Sequence, residues 1–439
     1  VRLAPNGRKK IRPAKVANRI AHGPFSDLFN VAASRPAQIT TEFDVIYRSA
    51  AFASIALCSI AGQRGIGPHG DSGDWWLDKA GILPDSAIEE LIARQAIQSE
   101  IAFAPDQVQP ASLDLRLGRE AWRIRASFLP GAAKTVASKL ERLALHRIDL
   151  TQGAVLETGC VYLVPLLEAL DLPAGIEASA NPKSSTGRLD IFTRVICDFS
   201  QGFDRIEAGY RGPLYLEISP STFPVVVRTG SRLSQIRFRK GQARLDGGAL
   251  LDLHNRETLV ASSVPNIHNG GIGLSIDLSG GPDGLVGYRG KRHTAVIDVD
   301  RKGALDVLDF WEPILDRGMR DIVLDPDEFY ILVSREAVHV PPDFAAEMVP
   351  FDPLVGEFRV HYAGFFDPGF GHAQAGGAGA RAVLEVRSHE VPFILEHGQL
   401  VGRLVYEHLQ RRPSRLYGTG MGSNYQAQGL KLSKHFRGG

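Results

Sequence analysis

From about Trp75 to the C-terminus, apolar and polar positions alternate over short runs. Leu113-Asp114-Leu115-Arg116-Leu117 is one example, and Gly or Pro punctuates such runs at strand-and-turn spacing. The pattern predicts a mainly β architecture with a few short helices. One helix start is legible at Pro84-Asp85-Ser86-Ala87-Ile88-Glu89. There Asp85 or Ser86 can cap, Glu89 can close a capping box, and Ile88, Leu91 and Ile92 supply an apolar face. Residues 1–74 carry no comparable period. A basic start, an Ala/Ser-rich stretch and the Gly-rich segment Gly62 to Gly73 predict a poorly ordered extension, or sequence upstream of the natural start, in preference to a nucleic-acid or targeting arm.

The alternation repeats. Val161-Tyr162-Leu163-Val164 answers to Phe329-Tyr330-Ile331-Leu332, Leu216-Glu217-Ile218 to Leu384-Glu385-Val386, and Gly230 to Gly398. The differences 330 − 162, 385 − 217 and 398 − 230 all equal 168. Ser112-Leu113-Asp114-Leu115 and Ser275-Ile276-Asp277-Leu278 extend the match at a different offset. The reading is two copies of one β domain, at residues 75–250 and 265–439, joined near Gly247 to Asn269.

Charge narrows the ligand class. Lys+Arg at 50 nearly cancels Asp+Glu at 49, so no global field grips a long polyanion or a membrane surface. A small phosphorylated molecule met by a local donor cluster fits better. Cys58, Cys160 and Cys197 form no C-x-x-C pair, and the expected setting is a reducing cytoplasm. The longest apolar stretch, Ala50 to Gly62, is too short to span a bilayer.

Two places carry candidate chemistry. Lys183, Ser184, Ser185 and Arg188 sit together after Pro182, and their hydroxyls and cations suit phosphate oxygens, although solvated turns look similar. Glu217 lies in the strand-like run Pro213 to Ile218. Partial burial there would raise its pKa toward a range useful for proton transfer, whereas a solvent-facing strand glutamate would stay inert.

Read in order, these pieces resemble the dCTP deaminase family. Gln109 to Gly118 is similar to its N-terminal strand motif and Pro182 to Arg188 to its phosphate and water-positioning loop. Asp204 to Gly212 is similar to the hairpin before its catalytic strand, and Tyr417 to Gln428 to its closing tail. The resemblance implies two tandem dUTPase-like distorted β-barrel domains, sites shared around a threefold axis, and hydrolysis of dCTP to dUTP and ammonia that supplies thymidylate synthesis. It implies Glu217 as general base, with Ser184 and Arg188 orienting water and cytosine. Lys183, Ser185 and Arg205 would hold phosphates, with Tyr417, Tyr425, Gln428 and Lys431 at the lid and the Ala363 hairpin in the second copy. Magnesium would ride on the triphosphate. Zinc is not expected, because no His is followed two residues later by Glu as in the zinc-dependent deaminases. The expected assembly is a homotrimer, with no nucleic acid and no membrane.

The copies are unequal. After Pro350 the second has Phe351 to Gly356 in place of the Lys-Ser-Ser cluster, yet it keeps Glu385 and the tail. Division of labour follows, with Glu217 preferred over Glu385 as the base. Alternative readings are a dUTP diphosphatase, alone or combined with deamination, and a non-catalytic nucleotide-binding module. Glu207 stands where the diphosphatases place Asp.

Overall fold

A computed structural model describes residues 79–262, 265–281, 283–350, 358–360, 364–388, 390–418 and 428–438. The extension read for residues 1–74 lies outside the described residues. The described chain is mainly β with short helices, and none of those helices is long and apolar enough to cross a membrane.

The repeat is present in the strand ladders themselves. In the first half Val161–Asp171 pairs antiparallel with Arg211–Pro220, and Ile176–Pro182 with Ser234–Lys240. In the second half Tyr330–Val338 pairs with Ala380–Ser388, and Phe344–Pro350 with Leu400–His408. Glu217 faces Leu163 and Glu385 faces Ile331, so 385 − 217 and 331 − 163 both give 168. The Tyr162 and Tyr330 hydroxyls each accept a backbone N–H at 3.0 Å, from Glu157 and Asp325. A one-residue slip would turn each buried side chain to the opposite face, so burial pins this register. The pattern is visible along Ile176–Pro182, where buried and half-buried residues alternate without a break.

One expected match is out of register. The Glu168 carboxylate accepts from Arg116 N and the Glu336 carboxylate from Ser275 N, each at 2.8 Å. Thus Ser275 is the counterpart of Arg116, not of Ser112. The shared Ser-x-Asp-Leu lettering misaligned this strand.

The halves interlock. The first core takes in Ile297, Phe310, Trp311, Phe329, Leu432 and Phe436 from the second half. Phe436 meets Phe310 and Trp311 edge-on, with ring centroids 5.5 and 6.0 Å apart. Strand Ile297–Asp298 adds in parallel to Val225–Val227, and Arg228 clasps the Asp298 carboxylate through both terminal nitrogens at 2.7 and 2.8 Å. Deeper still, the fully buried Arg237 donates to the carbonyls of Ala111 and Ala346 and to Asp367, at 3.3, 3.1 and 3.1 Å. The join contains a helix, Gly247–Arg256, because the Asp246 carboxylate caps Ala249 N at 2.8 Å and Leu250 and Leu253 are buried.

The first helix runs from Asp85 to Ala93, but Pro84 precedes it and no side chain caps it. Asp85 and Glu89 instead reach across to Ser414 and Arg415. The capping box expected here is replaced by a tertiary contact.

Candidate active site

Between the halves lies a crevice of about 500 Å³. Its first wall begins where Ile176–Pro182 ends. Lys183 N donates to Leu233 O at 2.9 Å, and the single helical turn Ser184–Gly187 then presents Ser184 and Ser185. The Lys183 ammonium pairs with the buried Asp114 carboxylate, which also receives Arg232 at 3.5 Å.

Arg188 is buried at the end of that turn. It donates to Lys431 O at 3.0 Å and to the Gln428 side-chain oxygen at 3.1 Å, and its Nε lies 3.8 Å from Glu385 Oε1. Glu385 comes from the opposite wall, on Ala380–Ser388, between the core residues Leu384 and Val386. Burial pushes its carboxyl up to about 7, with Arg188 pulling the other way. A carboxyl titrating there can accept and return a proton near neutrality.

The C-terminal segment brings a further cation. Ser433 Oγ donates to Ser185 O at 2.8 Å and lies 2.9 Å from His435 Nδ1, while His435 Nε2 is 2.8 Å from Val299 O. Between these two anchors Lys434 enters the crevice, where Lys302 and Lys183 also point. Burial, and then the charges of Lys183 and Lys302, lower its pKa to about 8. Among the described residues, six cations and four carboxylates line the crevice, a balance that suits an anion.

Of the residues expected from sequence, Lys183, Ser184, Ser185, Arg188, Glu385, Tyr417 and Gln428 converge on this crevice. Lys431 is represented by its carbonyl alone, through Arg188. Tyr425 and Ala363 lie outside the described residues. Glu217 and Arg205 are elsewhere. The Glu217 carboxylate is buried under Arg194, which faces it on the next strand and donates to Glu217 Oε1 at 3.0 and 2.5 Å. Arg194 is in turn stacked 3.5 Å from the Phe203 ring centre. Arg205 is largely exposed and pairs with Glu207 at 3.0 Å. Glu217, preferred from sequence, thus lies outside the crevice lining, and the carboxyl beside the serine loop is that of Glu385. Sequence reading missed Asp114, Arg232, Lys302, Lys434 and Arg415. Only Asp114 carried a signal, as a polar position of the alternating run Leu113 to Leu117.

Two family models match this chain. The N-terminal domain of 2'-deoxycytidine 5'-triphosphate deaminase matches residues 79–242, and the C-terminal domain matches residues 246–436. The chain belongs to the dCTP deaminase family. The crystal structure of 2'-deoxycytidine 5'-triphosphate deaminase from Agrobacterium tumefaciens is 70% identical with a TM-score of 0.75, covering 78% of this chain and 100% of that one. A dUMP-forming dCTP deaminase of Methanoculleus marisnigri is 34% identical over 161 residues, 36% of this chain and 79% of that protein. A dCTP deaminase of Halorubrum lacusprofundi is 29% identical over 160 residues, 36% and 76% of the two chains. As a dCTP deaminase family member in duplicated form, the protein is an enzyme with a nucleotide substrate.

Proposed function

We propose that the protein hydrolyses dCTP to dUTP and ammonia in the crevice between its halves, with Glu385 as general base. The observation that carries this reading is the buried Glu385 carboxyl, held up to about 7 and 3.8 Å from Arg188 beside the Ser184–Ser185 turn. Glu385 takes a proton from water as the water oxygen adds to the amine-bearing ring carbon, and returns one to the departing nitrogen. Ser184 and Arg188 orient the water and the ring. Lys183, Lys302 and Lys434 face the triphosphate, and magnesium enters on the phosphate oxygens as part of the substrate. A carboxylate base, not a zinc hydroxide, is the chemistry assigned here, and the sequence lacks the His-x-Glu signature of the zinc route. A cytoplasmic enzyme feeding dUTP to thymidylate synthesis completes the reading.

Ammonia release from dCTP by wild type, Glu385→Gln and Glu217→Gln tests it. Glu385→Gln is expected to lower kcat by roughly 10²–10⁴-fold with dCTP binding retained, while Glu217→Gln keeps turnover within a few-fold. The opposite ranking overturns the assignment. The name of the Methanoculleus relative favours a second possible step, hydrolysis onward to dUMP. Pyrophosphate appearing with ammonia would mark that bifunctional form. The exposure of Glu207, outside the residues lining the crevice, argues for dUTP as the end product.

A further inference from the structure

Asp85 is fully buried, yet it belongs to the first helix and lies outside the residues lining the crevice. Its carboxylate is committed to the C-terminal segment more than three hundred residues away. Oδ1 accepts from Ser414 N at 2.9 Å, and Oδ2 from Ser414 Oγ at 2.5 Å, Arg415 N at 3.1 Å and Arg415 Nε at 3.4 Å. Glu89, one helical turn on, takes Arg415 Nη2 at 2.8 Å, and Arg411 bonds Ser86 Oγ and Glu90 at 3.0 and 2.7 Å. Arg415 and, two residues later, Tyr417 line the crevice. A carboxylate receiving two backbone N–H groups and a hydroxyl from that segment, besides the local Ser86 N–H at 2.7 Å, fixes main-chain direction as well as side-chain position, and such charge-assisted bonds are about twice as strong as neutral ones.

We propose that Asp85 is a positioning residue for nucleotide binding, acting through Ser414 and Arg415 to hold Arg415 and Tyr417 at the crevice wall. The inference rests on the functional reading above and deepens it: a residue at the start of the first half controls a wall contributed by the second. Arg415 supplies a cation and Tyr417 a ring face, so loss of the anchor weakens capture of dCTP and leaves the Glu385 chemistry intact. Uniform loss of substrate and transition-state binding appears in KM, not in kcat.

The test is a double-mutant cycle on the full chain with Asp85→Asn, Arg415→Gln and the pair. Ammonia release gives kcat and KM, calorimetry gives dCTP affinity, and thermal unfolding is followed in parallel. Expected results are a KM raised about tenfold in Asp85→Asn with kcat within a few-fold, and no further KM increase when Asp85→Asn is added to Arg415→Gln. Glu141→Gln, exposed on the helix Val136–Leu143 and outside the crevice lining, serves as the control and leaves KM near wild type. A lowered Tm with unchanged KM and affinity in Asp85→Asn, or full additivity in the pair, overturns the proposal alone. Wild-type protein that neither binds dCTP nor releases ammonia overturns the functional reading and this inference with it. If Asp85→Asn fails to fold, Ser414→Ala, which removes only the hydroxyl bond, must still raise KM for the proposal to stand.

Discussion

At the scale of single residues, the two glutamates show how one position in a repeat acquires two fates. Both lie on equivalent strands with the same facing partner position, so pattern alone could not rank them. What separates them is the arginine each meets. Arg194 is the cross-strand neighbour of Glu217 and donates to it directly, whereas Arg188 arrives from a loop in the other half and stops at 3.8 Å from Glu385. The first arrangement engages the Glu217 carboxyl in direct hydrogen bonds within the sheet. The second leaves burial dominant and the pKa raised, so kcat/KM should climb with pH through an apparent pKa near 7 as Glu385 loses its proton. A decline should follow near 8 as Lys434 loses its charge and phosphate binding weakens. Pre-steady-state ammonia release across pH 5 to 9 measures both limbs. The same raised pKa has a stability sign: the folded state holds the Glu385 proton more tightly than the unfolded one. Its stabilising effect is therefore full below about 4.5 and lost as pH rises through about 7. Glu385→Gln should accordingly gain stability over wild type at pH 8, on the order of 3 kcal/mol, and little at pH 4. Denaturant unfolding at the two pH values checks this.

At the scale of elements, strands and turns were legible because their physics is local. Alternation and the Tyr-Glu pair at a spacing of 168 survive in the ladders, and Gly230 and Gly398, at the same spacing, both take a positive φ at turns. The anchors of the C-terminal segment were not legible, since each depends on a partner far away in sequence: Asp85 with Ser414, Ser185 with Ser433, Arg188 with Gln428. The capping-box pattern at Asp85 and Glu89 reads as local, whereas all but one of the bonds to these carboxylates, that from Ser86 N, come from Ser414 and Arg415. The serine loop could be read because its chemistry is contiguous, and Lys302 and Lys434 could not because lone surface-type lysines carry no pattern. The segment's hold on the first core can be measured through Phe436. Phe436→Ala should cost about 3–5 kcal/mol in denaturant unfolding. Since Lys434 sits two residues before it, KM for dCTP should rise in the same variant.

At the scale of the whole molecule, the described crevice draws on both halves of one chain, with the serine loop from one half and the carboxyl from the other. The expected homotrimer rests on the threefold axis that the family resemblance implies. Light scattering should give three times the chain mass. The two halves share buried charge as well as apolar core. Arg237→Ala would strand Asp367 in the interior, and the resulting loss should be about 3–5 kcal/mol, seen as a lowered unfolding midpoint. An assembly of identical subunits must place the same side chain at every equivalent position. A tandem duplicate escapes that rule: one glutamate can remain reactive while its twin is retired into a rivet between strands, and a substitution in either is felt once, not everywhere the symmetry reaches.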